Sequence, residues 1–362
     1  MSSSASTGAA DERLVQRDGP EPGEPSAPPP RRRVRSFESL RWALWVLRAG
    51  PALMLLIVFG VASALTPLFL TSSNLGNVID ASAVIAVVAM GQLLVIVTRG
   101  IDLSVGAVIA LSSVIGALVY AQSSPGVAVI AAILATGLVV GLINGIVYVF
   151  GRVPHPFIVT LATLSVVRGL ALLLADGRSQ YGMPDAVVFL GGGSVSWLPH
   201  SAFVVAGMAL VVTLLLSQLV WGRWIYAVGG NPEAARRTGI PTRGVLVSVY
   251  AVCGLAAGLG GLLTAGRTAS GSPNFGELAE LDSIAAVIIG GAAFAGGRGN
   301  VGHALVGAFV IGIIRNVLNL LNVDAFYQLV VIGSVILVAV ELDVLRSHVE
   351  ERVKVRQAEL AA

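Results

Sequence analysis

The sequence is poor in charged residues and in cysteine. Of its 362 residues only 12% are Asp, Glu, Lys or Arg, whereas 55% are hydrophobic. A soluble domain carries about 25% charged residues, so this chain has too little polar surface to coat a globule in water. We therefore predict a protein embedded in a lipid bilayer. The net charge of +3, with no periodic basic face, excludes a nucleic-acid partner, and the single cysteine, Cys253, excludes an internal disulfide.

Lysine is nearly absent: the sequence contains only one, Lys354. A nucleotide-binding loop of the type G-x-x-x-x-G-K-[ST] needs a lysine that reaches the phosphates, and the residue before Lys354 is Val353 rather than glycine. The glycine cluster between Gly290 and Gly299 also lacks that lysine, and we interpret it as a tight turn in the membrane. The chain is not expected to hydrolyse ATP by this machinery.

Acidic residues are scarce within the apolar runs, since Asp80, Asp102, Asp282 and Glu341 lie at or near their ends. Proton-coupled carriers usually hold titratable groups in mid-membrane, and His303 is the one histidine expected there. A proton relay is disfavoured, whereas sodium coupling through backbone carbonyls stays open. No nucleophile with its base, and no set of metal ligands, can be assembled from the spacing, so we predict neither catalytic residues nor a metal site.

Long apolar runs are abundant. A helix needs about 20 apolar residues to cross a hydrocarbon core of roughly 30 Å. We predict an all-α, polytopic membrane protein of about ten transmembrane helices, with eight to eleven crossings compatible, because the eighth run is short and the turns at Gly100 and Gly299 are tight. The runs are 43–66, 78–98, 101–121, 126–150, 157–175, 201–220, 244–265, 283–297, 301–321 and 325–341.

The positions of Arg and Lys predict the orientation, because positively charged loops resist translocation. Both termini are placed in the cytoplasm, which puts most of the 23 cationic residues there. Outer loops then keep only Arg178 and Arg267, while Arg168 and Arg315 remain within spans. For these last two, pairing with carbonyls and contact with a substrate are both open, because a charge in a span needs a partner.

Three regions follow from composition. Residues 1–40 are rich in Ser, Pro, Gly and charge and are predicted to form a disordered cytoplasmic tail. Residues 41–345 form the transmembrane domain, and residues 346–362 form a cytoplasmic C-terminal tail. Within the domain, residues 221–244 form the longest inside loop. There Asn231 and Pro232 suit a helix start, Glu233 suits a first turn, and Gly239 suits a helix end. A short capped helix and an ordinary solvated loop both fit this pattern.

Two short motifs resemble each other across the chain. The third run opens with Arg99-Gly100-Ile101-Asp102-Leu103-Ser104-Val105-Gly106, and the ninth opens with Arg298-Gly299-Asn300-Val301-Gly302. Each follows an apolar run. Transporters are often built from such internal duplications, although a match this short is also compatible with chance.

Several motifs are characteristic of one protein family. The segment Gly100–Gly106 resembles the signature of permeases for ribose, xylose, arabinose and related sugars in bacterial ABC importers. The segment Glu233–Gly239 is similar to the E-A-A-x-x-x-G loop by which such permeases engage their ATPase, and Ser283–Asn319 also resembles that family. The likeness extends over about residues 43–345 and places the chain in the branched-chain amino acid permease-like superfamily of binding-protein-dependent transport components.

The resemblance implies the permease subunit of an importer for a monosaccharide or related polyol in the bacterial inner (cytoplasmic) membrane. It implies three partners: an ATP-binding-cassette ATPase, an extracytoplasmic sugar-binding protein and a second permease copy, identical or different. ATP and Mg belong to the ATPase, so this chain binds no cofactor itself. The alternative is a carrier or channel that works alone. The implied ATPase-coupling residues are Asn231, Glu233, Ala234, Ala235, Arg236, Arg237 and Gly239.

Asp102 has two interpretations. As a cap it would accept from the backbone N–H of Ser104 or Val105 and stabilise the start of the third span. Alternatively, the neighbouring helices are broken and Asp102 lines the conduit, where it would bind sugar hydroxyls. The candidate residues of the translocation pathway are Asp102, Ser104, Asn144 and Arg315.

Overall fold

The structure is a computed structural model that describes the backbone of residues 32–361. Side chains are described for residues 49–324, 326–341, 344–345, 348–349, 351–353 and 355. Most of the predicted disordered tail therefore lies outside the described residues. The chain divides into a unit Met1–Trp42, of which only the helical backbone of residues 32–42 is described, and a unit Ala43–Ala362, which holds everything discussed below.

The described chain is helical almost throughout. Its helices are α1 (Arg32–Leu65), α2 (Ser72–Val97), α3 (Val105–Ala121), α4 (Gly126–Phe150), α5 (Pro156–Leu174), α6 (Asp185–Gly192), α7 (His200–Ser217), α8 (Val220–Gly230), α9 (Pro232–Arg237), α10 (Thr242–Thr268), α11 (Ala279–Ile289), α12 (Val301–Leu320) and α13 (Ala325–Ala361), with a 3-10 helix at Pro67–Leu70. Strands β1 (Gln180–Tyr181) and β4 (Ser270–Gly271) pair antiparallel, as do β2 (Ser194–Val195) and β3 (Leu198–Pro199). The predicted all-α class is confirmed.

Six of the described helices, α2, α4, α5, α7, α10 and α12, are long and apolar enough to cross a membrane. Three shorter apolar segments, Ala49–Leu65, Val105–Ala121 and Phe326–Glu341, accompany them. A multi-pass membrane protein is thus confirmed, while the count of ten spans stays a prediction. Helix α13 continues to Ala361, beyond the boundary predicted at residue 345.

In two of the predicted runs, four or more residues lie outside any helix. The run 101–121 becomes helical only at Val105, because residues 98–104 form a loop. The run 283–297 is helical only over residues 283–289, which belong to α11. All 11 residues of α11 rise about 16 Å at 1.5 Å per residue, roughly half of a bilayer core. The chain leaves the helix there because Gly291, Gly296 and Gly297 have φ of 90°, 84° and 75°, a left-handed conformation that glycine adopts without a Cβ clash.

Two short helices were not predicted. Helix α6 lies between Pro184 and Gly193 in a segment assigned to a loop, and it packs against α10. Helix α8 occupies the first half of the loop predicted at residues 221–244. Both have at most 11 residues, so neither produces the long apolar run that identified the spans.

Helices α2 and α10 form the interior of the bundle. Within their apolar windows 72% and 67% of the residues are buried, against 22% in both α5 and α7. The peripheral helices expose large apolar side chains such as Leu173 and Phe203. In lipid this is the stable arrangement, because the hydrocarbon tails are as apolar as the side chains that face them.

Helices α4 and α10 pack through glycine. A Cβ on Gly254 of α10 would overlap the carbonyl oxygen of Gly137 and lie 2.7 Å from the Cα of Gly141, both on α4. A Cβ on Gly258 would lie 3.0 Å from the carbonyl oxygen of Ile133. The two backbones therefore touch directly, which is how small residues associate helices in a membrane.

The bundle has two ends that matter for function. At the first, named the α9 end, the backbone N–H of Gly297 donates to the carbonyl of Val97 at 2.8 Å, which joins the α11–α12 loop to the C-terminus of α2. At the other, named the cavity end, Asn74 at the start of α2 meets Asn316 near the end of α12 at 3.0 Å. Helices α2 and α12 therefore run between the two ends in opposite directions.

Candidate functional site

Helix α9 is a short, exposed, charged element whose ends are set by local sequence. The side chain of Asn231 accepts from the backbone N–H of Ala234 at 3.0 Å, and Pro232 is the first helical residue. Gly239, with φ of 85°, follows the C-cap, where a left-handed residue commonly ends a helix. The backbone N–H of Ile240 then donates to the carbonyl of Ala235 at 3.1 Å.

The seven residues predicted to couple to an ATPase all lie on α9 and its flanks. Ala235 is buried against the protein, whereas the other six are exposed. The Glu233 carboxylate pairs with Arg236 and with Arg237, each at 3.2 Å. These two guanidinium groups hold the pKa of the Glu233 carboxyl below its usual range. The outer face of α9 therefore carries fixed charge of both signs near neutral pH.

A second group of predicted residues forms a buried polar cluster, consisting of Asp102, Ser104 and Asn144. Asp102 Oδ1 accepts from the backbone N–H of Ser104 at 2.9 Å and from its hydroxyl at 2.7 Å. The amide of Asn144, on α4, donates to the Ser104 hydroxyl oxygen at 2.8 Å and lies 3.5 Å from both carboxylate oxygens of Asp102. None of the three is more than 1% exposed.

Asp102 makes the hydrogen bond predicted for a cap, from the Ser104 N–H, but it does not occupy the N-cap position. Ser104 occupies the N-cap position of α3, and Asp102 lies two residues earlier, where its side chain closes a turn onto the Ser104 N–H. The amide of Gln92, turned so that both of its groups are satisfied, donates to the Asp102 carbonyl at 3.3 Å and accepts from the Asp102 N–H at 3.1 Å. The cluster thus fixes the end of the 98–104 loop inside the bundle.

The cavity end holds two adjoining cavities of about 620 and 490 Å³. They share Asn77 and Arg267. The residues that line one or both of them are Ser72, Ser73, Asn74, Gly76, Asn77, Asp80, Ala81, Gly192, Gly193, Ser194, Ser196, Trp197, Pro199, Arg267, Arg315, Asn316, Asn319 and Leu320. The buried cluster of Asp102 is not part of either lining.

The charges at the cavity end are paired. The Arg267 guanidinium lies 3.1 Å from Asp80, and Ser201 donates to the same carboxylate at 2.7 Å. Arg315, the fourth predicted pathway residue, pairs with Asp282 at 2.7 Å. Because each of these guanidinium groups has its carboxylate, the cavity walls offer many donors and acceptors with little net charge. Such walls suit a neutral solute that is rich in hydroxyl groups.

Arg168, the other arginine predicted within a span, pairs with carbonyls. Its guanidinium donates to the carbonyl oxygens of Pro273 and Phe275 at 2.6 and 2.8 Å, and so holds the segment that precedes α11. Of the two alternatives for this side chain, the structure shows the carbonyl pairing.

The asparagines of the cavity walls were not identified from the sequence. Asn74 and Asn77 lie three residues apart on α2, and Asn316 and Asn319 lie three apart on α12. Residues at this spacing share one helix face. Two asparagines on the same face of an otherwise apolar helix are therefore the sequence pattern from which these cavity residues could have been identified.

Loss of the ion pair between Arg315, whose side chain is 31% exposed, and the buried Asp282 is expected to destabilise the protein. Asp282 is 5% exposed, so Arg315→Leu leaves its carboxylate unpaired, which costs about 3 kcal/mol. Thermal unfolding of detergent-solubilised protein measures the effect. Arg267→Leu is the matched control, because the Arg267 side chain is 48% exposed and such pairs contribute about 1 kcal/mol or less. If the double variant Asp282→Asn, Arg315→Gln is no more stable than Arg315→Leu, the loss has another cause.

Comparison with known proteins places the chain among transport components. Residues 74–340 match the family described as branched-chain amino acid transport system / permease component. The chain is 41% identical over 301 residues to the ribose import permease protein RbsC of Bacillus subtilis, covering 82% of this chain and 92% of the relative. The chain is also 36% identical over 303 residues to the RbsC of Escherichia coli K12, which covers 83% of this chain and 94% of that relative.

A relative named for another sugar matches over a similar length. The D-allose transport system permease protein AlsC of Escherichia coli K12 is 36% identical over 317 residues, which cover 86% of this chain and 97% of AlsC. No solved structure matches the chain.

Proposed function

We propose, from the premise that this chain belongs to the family of branched-chain amino acid transport system / permease components, that it is the membrane-spanning permease subunit of an ATP-binding-cassette importer for a monosaccharide. Relatives that match over more than 80% of its length are named as ribose and allose permeases. The chain is the conduit and not the enzyme, because its only lysine, Lys354, is not part of a phosphate-binding loop.

The complete transporter contains partners that supply energy and cargo. An ATPase subunit binds ATP and Mg and hydrolyses the nucleotide, a sugar-binding protein delivers the cargo on the outside, and a second permease copy completes the pathway. The chain spans the bacterial inner membrane about ten times with both termini in the cytoplasm. In this orientation the α9 end faces the cytoplasm and the cavity end faces the binding protein.

The observation that carries the proposal is helix α9. It is exposed and charged, and the buried Ala235 anchors it to the protein. Capping by Asn231 at one end and the left-handed Gly239 at the other fix its length. A rigid element of this kind suits a groove on a partner protein, because little conformational entropy is lost when it binds.

The cavity end supports sugar as the cargo. Each cavity, at about 620 and 490 Å³, is within the range of small-molecule sites, roughly 300 to 1,000 Å³. The amide of Asn77 lies in the walls of both cavities and can bind hydroxyl groups, and Trp197 offers an apolar ring. The side-chain oxygen of Asn319 already accepts from Gln328 at 2.8 Å, so Asn319 can offer only its amide nitrogen. We propose that the sugar enters here from the binding protein and that Arg315, in the cavity wall, belongs to the pathway.

Reconstitution tests the function directly. The purified permease is placed in proteoliposomes with its cognate ATPase and binding protein, and uptake of radiolabelled ribose and allose is followed. We expect uptake only when ATP and all three proteins are present. Uptake by the permease alone, driven by an ion gradient, would instead identify a secondary carrier.

A charge reversal on α9 tests the docking role. Glu233→Lys replaces the carboxylate that pairs with Arg236 and Arg237, so we expect the affinity for the ATPase to fall about tenfold, which corresponds to about 1.4 kcal/mol. Co-purification and surface plasmon resonance measure it. The control is Asp185→Lys, which reverses an exposed acid on α6. Equal effects of the two variants would show that α9 is not the docking element.

A further inference from the structure

Arg99 joins the 98–104 loop to the helix that precedes α9. Its guanidinium Nε donates to the carbonyl oxygen of Gly229 at 2.6 Å, and a second guanidinium nitrogen donates to the carbonyl of Gly230 at 2.5 Å. These are the last two residues of α8, and Asn231 follows them as the cap of α9. The free carbonyls of a helix C-terminus carry partial negative charge, so a cation is favourable at this position.

The same helix is bound to the α11–α12 loop. The hydroxyl of Tyr226, on α8, donates to the carbonyl of Gly299 at 2.7 Å. The N–H of Gly297 donates to the carbonyl of Val97 at 2.8 Å, which ties that loop to the residues just before Arg99. Helix α8 is thus bound at its C-terminal half to both of the loops that carry the repeated Arg-Gly motif.

The opposite end of the 98–104 loop is anchored deep in the bundle. Asp102 is held by Ser104 and by Gln92 on α2. The hydroxyl of Thr160, on α5, donates to the carbonyl of Ile101 at 3.2 Å, and Asn144 attaches the loop to α4. Only the few residues between Arg99 and Asp102 separate the exposed guanidinium from this buried anchor. The 98–104 loop therefore connects α8 and α9 to α3, α4 and α5 through a short series of hydrogen bonds, and a displacement of α8 and α9 can be passed on to those helices.

We propose that Arg99 is a positioning residue that transmits movement of α9 to the 98–104 loop, and through the Asp102 cluster to the helices around it. The inference rests on the proposed function, because it concerns how ATPase movement reaches the pathway. Two hydrogen bonds from one planar guanidinium fix direction as well as distance. Without them, α8 would be connected to the 98–104 loop only indirectly, through Gly299 and Gly297 of the α11–α12 loop.

The test compares Arg99→Ala with Arg152→Ala in the reconstituted transporter with its ATPase and binding protein. Arg152 is a closely matched control, because it too is exposed and has a left-handed backbone, φ of 54° against 66° for Arg99. Within the described part of the chain Arg152 makes no hydrogen bond or ion pair. Arg152 also lies at the α9 end. It directly follows α4, the C-terminal part of α4 packs through Gly145 on Val247, and Val247 is near the start of α10, which begins shortly after α9.

The measured quantity is sugar taken up per ATP hydrolysed. For Arg99→Ala we expect this ratio to fall at least tenfold while the ATPase still co-purifies, and for Arg152→Ala we expect a change of less than twofold. Arg99→Lys is expected to be intermediate, because one ammonium group cannot reproduce the planar two-donor geometry. A merely structural role would lower the yield of folded complex without changing the ratio.

Two outcomes would overturn the inference. A wild-type ratio for Arg99→Ala would show that the contact transmits nothing, and loss of ATPase co-purification would show that Arg99 supports docking instead. If Arg99→Ala does not give a monodisperse protein, the ratio of Arg99→Lys decides, and a wild-type value there refutes the inference. Failure of the unsubstituted complex to transport sugar would refute the proposed function, which is a different result.

Discussion

Replacement of Gly254 by leucine is expected to abolish recovery of folded protein. A Cβ at this position overlaps the carbonyl oxygen of Gly137 and lies 2.7 Å from the Cα of Gly141, so α10 cannot approach α4 with any side chain present. Inserting even a few methylenes into a packed interior costs about 1–3 kcal/mol. A whole isobutyl group between two backbones costs more, against a total stability of about 5–15 kcal/mol. Size-exclusion chromatography of a fluorescent fusion measures the folded fraction.

Gly207→Leu is the matched control. Gly207 lies within α7, and nothing comes within 4 Å of a Cβ built on it. A leucine there faces outward from a peripheral helix and has a better helix propensity than glycine by about 0.5–1 kcal/mol. We expect this variant to be recovered at wild-type yield. Equal yields of Gly254→Leu and Gly207→Leu would mean that the α4–α10 contact is not required for folding.

Loss of the α4–α10 contact would affect both the α9 end and the cavity end of the bundle. Helix α10 begins at Thr242, shortly after α9, and Arg267 in its last turn lines both cavities. A displaced α10 therefore shifts the candidate docking element and the candidate sugar cavities together. For this reason, substitution of the glycines of α4 and α10 cannot test either site alone. Substitutions of Arg99 and Glu233 can, because they alter exposed side chains.

The spans were predictable because the bilayer sets their length. Helices α4, α5 and α12 begin and end within one residue of the predicted runs 126–150, 157–175 and 301–321. Helix α11 was not predictable in its length, because the run 283–297 is uniformly apolar and glycine-rich. Its end depends on which glycines of the run adopt the left-handed conformation, as Gly291 does. Packing against α12 also requires glycine here, since a Cβ on Gly290 would overlap the carbonyl oxygen of His303.

In the candidate sites, too, contacts between residues close in sequence were predictable, whereas contacts between distant residues were not. Capping of α9 by Asn231 and the turn from Asp102 to Ser104 involve residues at most three apart, and the sequence indicates both. The bonds from Asn144 to the Asp102 cluster and from Arg99 to Gly229 span 42 and 130 positions. Such pairs depend on how helices are placed side by side, which no local pattern in one sequence specifies.

Asp102 is the residue at which anchoring and sugar binding can be separated. Asp102→Ala removes the acceptor of the Ser104 N–H and hydroxyl, both buried. Each unsatisfied buried group costs about 1–3 kcal/mol, so we expect a loss of about 3 kcal/mol, measured as thermal unfolding in detergent. Asp102→Asn retains an oxygen at the position of Oδ1, so we expect a loss of about 1 kcal/mol or less.

Sugar uptake by Asp102→Asn then distinguishes the two roles. The Asp102 side chain is fully buried and lines neither cavity, so an anchor that keeps its hydrogen bonds should transport within about twofold of wild type. Ser104→Ala is the control, because it removes one hydroxyl of the same cluster and leaves the carboxylate in place. If Asp102→Asn retained its unfolding temperature but lost uptake at least tenfold while Ser104→Ala did not, the carboxylate would act on the sugar during transport. In that case the 98–104 loop must open towards the pathway, because only an exposed carboxylate can bind a hydroxyl of the passing solute.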